Sequence, residues 1–288
     1  MTWTCLLCQR ENQPEEEACV ECGVPRVLEA PGRRQRPRAC VNVSPVELPG
    51  GFTLERPYYY VLCGLGLALL MHLLMCGVFD FGVQVFFHEL GHAIVAWAFG
   101  MPSVPLPMFG FAISMPQFTL LALAIWGGLG YQAWQLRERS RRSAIALGVA
   151  AGVYPLLAFS GAAQALVSAG GHGGEVVFAS LFLWRALEPR ENRFREIDRA
   201  LYSMMAWLLI MGNLSTFYRL ATSRAEQHRY ATQSVLGVGN DFMHISDYLG
   251  LRLGTVSFLF LVFIVSAVAA TGCAWWWLRW RARERAPG

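Results

Sequence analysis

The chain has 288 residues, of which 55% are hydrophobic and only 15% are charged, whereas about 25% of the residues in a typical soluble domain are charged. The mean hydropathy is +0.36. The net charge is only +4, and most of the arginine clusters flank apolar runs, where they act as topology signals rather than as a nucleic-acid surface. Composition therefore argues against a soluble domain and favours a membrane protein.

Two Cys-x-x-Cys pairs lie within the first 22 residues. Two such pairs supply a closed tetrahedral site for a structural zinc ion, and a module this small needs the metal in order to fold. With Trp3 and Asn12, the spacing W-x-C-x2-C-x3-N-x6-C-x2-C resembles the Ran-binding-protein type zinc finger. The predicted zinc ligands are Cys5, Cys8, Cys19 and Cys22.

The sequence indicates less clearly what this finger binds. The acidic run Glu15-Glu16-Glu17 follows Asn12, and it would repel the phosphates of a nucleic acid. We therefore expect a protein partner, with a purely structural cap or a generic two-knuckle zinc ribbon as the alternatives. Four zinc-binding thiolates need a reducing compartment, which places the finger in the cytosol.

Long apolar runs occupy most of the remaining chain. We divide it into the finger at 1–25, a linker at 26–56, a membrane domain at 57–280 and a basic tail at 281–288. A membrane helix needs about 20 apolar residues, so we expect an all-α, multi-pass protein with six or seven helices in a lipid bilayer. The six long runs are 58–79, 81–99, 117–136, 143–168, 200–221 and 254–278, and the short seventh is 175–187.

The apolar segment 101–116 differs from these runs because its four prolines exclude a helix. We predict an irregular or β-like segment. At membrane depth such a backbone survives only where protein or a water-filled cavity satisfies its polar groups.

The run 81–99 contains the motif His88-Glu89-Leu90-Gly91-His92. On a helix, two histidines four residues apart lie one turn apart on the same face, where both imidazoles can bind one zinc ion. Glu89 lies beside them and can accept a proton from a zinc-bound water. Ionisable groups inside a membrane run are costly and usually functional; the structural alternative is a pair of polar residues that hydrogen-bond neighbouring helices.

This motif inside an apolar helix resembles the site-2 protease family of intramembrane zinc metalloproteases. The resemblance implies that a β-like segment follows the motif helix, as 101–116 does here. It also implies that a later Asp, usually in an Asn-x-Asp-Gly or Leu-Asp-Gly setting, supplies the third zinc ligand. The motif match covers a few residues, and the general layout covers 57–278.

The third ligand has few candidates because the chain contains only four Asp and six His. Asp241 follows Gly239-Asn240, similar to the family element, although Phe242 replaces the family's Gly; a helix N-cap or turn role is the alternative. His172 is the second candidate, in what we interpret as a glycine-rich turn before an apolar helix, or else it is a polar loop residue. Both could serve, one as ligand and one to position substrate or water. His244 lies three residues from Asp241 and could face the same site on a helix.

The resemblance implies a zinc-dependent intramembrane endopeptidase with one catalytic and one structural zinc ion. Glu89 would activate the water, His88 and His92 would bind the metal, and the substrate would be a membrane-embedded or membrane-proximal protein segment. The alternatives are a non-proteolytic, multi-pass metal-binding protein and a membrane-anchored zinc-finger adaptor.

Overall fold

The structure is a computed structural model that describes residues 3–4, 11–13, 15–20, 46–48, 52–75, 77–188, 195–232 and 240–284. Within these ranges the fold is mostly helical, with three short two-stranded sheets. The strands are β1 (Trp3–Thr4), β2 (Glu11–Asn12), β3 (Val46–Glu47), β4 (Thr53–Leu54), β5 (Ser103–Leu106) and β6 (Phe111–Ser114). The helices are α1 (Arg56–Leu74), α2 (Val78–Ala98), α3 (Thr119–Leu136), α4 (Arg141–Ala158), α5 (Ala162–Leu187), α6 (Arg195–Thr222), α7 (Arg224–Thr232), α8 (Asp241–Leu249) and α9 (Leu253–Glu284).

Four helices are long and apolar enough to cross a membrane: α1, α5, α6 and α9. Contacts at their ends show that they alternate in direction. Arg279 near the end of α9 pairs with Glu55 at the start of α1 at 2.5 Å. Arg199 near the start of α6 donates to the carbonyl of Ala186 at the end of α5 at 2.7 Å and stacks over Tyr60 of α1. The starts of α1 and α6 therefore lie on the same side as the ends of α5 and α9.

The centre of this bundle is a hydrophobic core formed by α2, α5, α6 and α9. Phe87 of α2 packs against the rings of Phe178 and Phe182 of α5 at 4.9 and 5.3 Å. The same core includes Leu209 of α6 and Trp275 of α9. Although α2 carries several polar residues and is not among the four apolar helices, one of its faces is buried against the bundle.

The segment after α2 forms the antiparallel hairpin β5–β6, in which Ser103 pairs with Ser114 and Leu106 with Phe111. The backbone N–H of Met115 donates to the carbonyl of Pro102 at 2.8 Å, so alternate pairs along the ladder are hydrogen-bonded. The Trp97 indole of α2 donates to the Ser103 carbonyl at 2.8 Å, which ties β5 to α2. The outer edge of β6 has no backbone partner among the described residues.

The expectation of a mostly helical fold is confirmed, and the β-like segment at 101–116 is a hairpin. Four helices of the described residues are long and apolar enough to cross a membrane, where six or seven were expected. One boundary between the predicted runs was wrong. The predicted break between the runs 143–168 and 175–187 lies instead at 159–161, and residues 162–187 form one helix. The predicted linker contains the β3–β4 hairpin, and α9 extends past residue 280 into the predicted basic tail.

Candidate metal centre

The motif residues lie in the middle of α2, as predicted. His88 and His92 are one turn apart, and their rings lie edge to face with centroids 4.6 Å apart. Glu89 points into the bundle and is only 4% exposed. No described side chain donates a hydrogen bond to its carboxylate.

Asp241 joins the two histidines from the first turn of α8. Its Oδ2 lies 3.0 Å from His88 Nε2 and 3.0 Å from His92 Nε2, and the two Nε2 atoms are 3.0 Å apart. Helix α8 is held in place by the Asn240 amide, which donates to the Tyr230 carbonyl, and by Phe242, whose side chain is completely buried. The residue that departs from the family pattern thus anchors the helix that carries Asp241.

The hydrogen bonds of the two rings define which nitrogens face this cluster. His92 Nδ1 lies 2.7 Å from the Val167 carbonyl, and His88 Nδ1 lies 2.8 Å from Glu175 Oε1. Both partners are acceptors, which favours a proton on each Nδ1 and leaves the two Nε2 atoms facing each other and Asp241. When both rings are neutral, two lone pairs and a carboxylate oxygen converge within 3.0 Å of one another, an arrangement that is satisfied by a bound cation or by a proton on one Nε2.

These three donors fit a zinc ion. Two imidazoles and one carboxylate are a ligand set found in catalytic zinc sites, which keep a fourth position open for water. A tetrahedral ion with bonds of about 2.0–2.1 Å needs donor atoms roughly 3.3 Å apart, and the observed separations of 3.0 Å are within a few tenths of an ångström of that value.

Glycines allow α5 to approach α2 at this site. A Cβ on Gly91 would lie 2.2 Å from the Gly170 carbonyl oxygen, and a Cβ on Gly174 would lie 2.6 Å from the Gly91 Cα. A Cβ on Gly171 would lie 2.5 Å from His92 Nε2 and 2.6 Å from His88 Nε2. The small-xxx-small spacing of Gly170 and Gly174 is typical of close helix crossings in membranes, and Gly171 leaves the space beside the imidazoles clear.

His172, the second candidate for the third ligand, lies within α5 and not in a turn before a helix, so that interpretation was wrong. Three of the glycines around it, Gly170, Gly171 and Gly174, lie against α2 and serve the helix crossing instead of ending a helix. His172 Nδ1 lies 3.1 Å from Glu175 Oε1, and its ring centroid is 4.4 Å from that of His88. His88, His172 and Glu175 form a second group with ligand atoms within 4.8 Å of one another.

The start of α8 has a distinct electrostatic environment. Burial alone would raise the pKa of the Asp241 carboxyl, but hydrogen bonds with His88 and His92 outweigh it and hold that pKa below its ordinary value. Burial, together with the Asp241 carboxylate, raises the pKa of the Tyr230 phenol. Asp241 is therefore ionised at neutral pH, and Tyr230 keeps its proton.

The remaining sequence predictions have mixed outcomes. His244 is exposed on α8 and does not join the cluster. In the N-terminal module β1 pairs with β2, the Val20 N–H donates to Asn12 Oδ1 at 3.1 Å, and Cys19 is buried. Cys5, Cys8 and Cys22 lie outside the described residues, and the structural zinc site remains a prediction.

Sequence reasoning missed Glu175 and Asn213. Both are 2% exposed, and the Asn213 amide donates to Glu175 Oε2 at 2.5 Å. A glutamate and an asparagine inside otherwise apolar runs are costly and would have marked them as candidates. The placement of Glu175 at a predicted helix start concealed this signal, because a carboxylate there is ordinary.

Comparison with protein-family models, with curated proteins and with solved structures finds no match for this chain. The site is therefore interpreted from its own geometry.

Proposed function

We propose that this chain is a zinc-dependent intramembrane endopeptidase that cleaves membrane-embedded or membrane-proximal protein segments. The observation that carries the proposal is the convergence of His88 Nε2, His92 Nε2 and Asp241 Oδ2 within 3.0 Å of one another. A buried carboxylate, Glu89, is adjacent to His88 in the chain. These groups lie in a bundle with four helices that are apolar enough to cross a membrane.

Zinc in this site would supply a Lewis acid and would lower the pKa of a bound water to near neutrality. Glu89 then has the role of general base. It accepts a proton as the water oxygen bonds to the substrate carbonyl carbon, and it returns the proton to the amine nitrogen as the C–N bond breaks. Asp241, already ionised, offsets positive charge at the site, and the fixed Nδ1 bonds keep both imidazoles aimed at the same point.

The substrate segment must be extended, because a helix hides its peptide bonds. The outer edge of β6 is suited to hold it as an added strand. In the β5–β6 register Ala112 faces Pro105, which has no N–H, so the Ala112 N–H points away from the ladder. The hairpin follows directly from the helix that carries the motif and is bound to it through Trp97.

The N-terminal finger would lie in the cytosol, because its thiolates need a reducing compartment, and would recruit a protein partner or substrate. It precedes α1, and the start of α1 lies beside the end of α9 through the pair formed by Glu55 and Arg279. Both termini of the membrane domain would then face the cytosol.

The decisive variant for this proposal is Glu89→Gln. The full chain is expressed with a panel of single-span reporter proteins that release a fluorescent domain when cleaved within the membrane. General acid–base groups contribute about 10²–10⁴-fold to rate, so we expect cleavage to fall by that factor while bound zinc, measured by mass spectrometry, is retained.

The matched control is Glu138→Gln, because the Glu138 side chain is 81% exposed just after α3, where it pairs with Arg137. It should cleave at the wild-type rate. Undiminished cleavage by Glu89→Gln would overturn the mechanism, and a loss of the same size in both variants would overturn the assignment of Glu89.

A further inference from the structure

We propose that Glu175, itself held by Asn213, is the positioning residue of the metal centre and sets the orientation of the His88 ring. The inference rests on the proposed function only in assuming that His88 binds a metal. Glu175 Oε1 lies 2.8 Å from His88 Nδ1, on the side of the ring opposite to the Nε2 that faces His92 and Asp241.

The burial of Glu175 needs an explanation. An ionised carboxylate that is 2% exposed inside an apolar bundle is unstable unless charged or hydrogen-bonding partners surround it. Both of its oxygens are used: Oε1 accepts from His88 Nδ1 at 2.8 Å, and Oε2 accepts from the Asn213 amide at 2.5 Å. Two hydrogen bonds therefore hold the carboxylate, and His172 Nδ1 lies close to Oε1 at 3.1 Å without forming a hydrogen bond.

The orientation of Asn213 indicates that it serves Glu175. Its Nδ2 donates to Glu175 Oε2 and to the Leu209 carbonyl at 2.9 Å. Its own Oδ1 is buried with no hydrogen-bond partner. An amide flip would turn that oxygen towards the carboxylate and lose both bonds, so Asn213 keeps one unpaired atom as the cost of anchoring Glu175.

The two metal-facing histidines are held by different acceptors. His92 Nδ1 bonds to a neutral backbone carbonyl, that of Val167, whereas His88 Nδ1 bonds to a carboxylate. A carboxylate behind a ligating imidazole fixes the tautomer and raises the donor strength of the opposite nitrogen. His88 should therefore be the stronger ligand and the one whose strength depends on a removable side chain.

His172 packs beside the His88 ring. Its ring lies edge-on to His88 at 4.4 Å and is enclosed by Phe217 at 4.8 Å and Phe242 at 5.5 Å. His172 therefore packs between the His88 ring and these two phenylalanines, whereas Asp241 faces His88 Nε2.

The test measures zinc affinity in the full-length protein in detergent, by competition with a chelator in a zinc-buffered series. The zinc that is lost in His88→Ala defines this site. The variants are Glu175→Gln, which keeps one acceptor, Glu175→Met, which keeps none, and Asn213→Leu, which removes only the anchor. The matched control is Asp80→Asn, because Asp80 also bonds a histidine Nδ1, that of His72, at the start of α2.

Loss of an outer carboxylate partner typically weakens metal binding by about 10–100-fold. We expect the dissociation constant to rise by that factor in Glu175→Gln, further in Glu175→Met, and by a smaller factor in Asn213→Leu, with no change in Asp80→Asn. Cobalt bound at this site should show an altered visible absorption spectrum in Glu175→Gln, a change that a loss of stability alone would not produce.

Three results would overturn the inference. Unchanged zinc affinity in Glu175→Gln would show that Glu175 does not position His88. Complete loss of the site zinc in folded Glu175→Gln, as in His88→Ala, would make Glu175 a direct ligand in the second group with His172. Wild-type zinc affinity in Asn213→Leu would show that Asn213 does not anchor Glu175. Absence of any His88-dependent zinc in the wild type would instead contradict the proposed function.

Discussion

Gly171→Ala is the substitution whose effect the geometry defines most closely. The added Cβ would lie 2.5 Å from His92 Nε2 and 2.5 Å from His88 Cε1, contacts that must open to 3.0 Å or more. Neither ring can turn aside freely, because Val167 and Glu175 hold their Nδ1 atoms at 2.7 and 2.8 Å. The imidazoles must therefore shift by about 0.5–1 Å, since packed interiors do not absorb such overlap elsewhere.

A displacement of about 1 Å in a catalytic group can cost about 100-fold in rate. We expect Gly171→Ala to lose site zinc or to cleave at least about 100-fold more slowly. The matched control is Gly173→Ala, two residues along α5, where an added Cβ meets nothing within 4 Å. Both substitutions favour helix by about 0.5–1 kcal/mol, so loss of helix stability cannot explain a difference between them.

The assay compares bound zinc, reporter cleavage and thermal unfolding for the two alanine variants. Gly173→Ala should match the wild type in zinc and cleavage and unfold at an equal or higher temperature. If Gly171→Ala keeps the wild-type zinc affinity and cleavage rate, the described approach of α5 to the imidazoles is wrong.

Three further predictions follow from single side chains. Phe242→Ala removes a fully buried ring and should cost about 3–5 kcal/mol of stability. We expect a lower unfolding temperature and weaker zinc binding. The control is Phe258→Ala, at a ring that is 55% exposed, and an equal fall in unfolding temperature in both variants would contradict the prediction. Ala112→Pro removes one outward N–H and should raise the substrate KM about 2–12-fold, with zinc unchanged; an equal effect of Ala112→Val would argue against strand addition. Asp241→Asn should weaken zinc binding, whereas His244→Asn should not, and equal effects would remove Asp241 from the site.

The features that the sequence predicted well depend on short-range physics. A spacing of four residues places His88 and His92 on one helix face whatever surrounds them, and four prolines exclude a helix from 101–116. The long apolar runs predicted a mostly helical fold, and four of the helices are long and apolar enough to cross a membrane. Asp241 was singled out through a resemblance, and the structure places it at 3.0 Å from both imidazoles.

The features that were missed depend on which helices meet. The glycines between residues 170 and 174 predicted a turn because glycine weakens an isolated helix. In the structure they lie within α5, where Gly170 and Gly174 pack against Gly91 of α2. Glu175 and Asn213 are 38 residues apart in sequence, and their 2.5 Å bond exists only because α5 and α6 pack antiparallel. No periodicity in the sequence reports that pairing.

The proposed zinc site is tested most directly by locating zinc in crystals of the full-length protein, through anomalous scattering at the zinc absorption edge. We expect an ion bound by His88 Nε2, His92 Nε2 and an Asp241 carboxylate oxygen, with one position open to solvent beside Glu89. An anomalous peak with different ligands, or crystals grown with zinc that show no peak between these three side chains, would contradict the proposal.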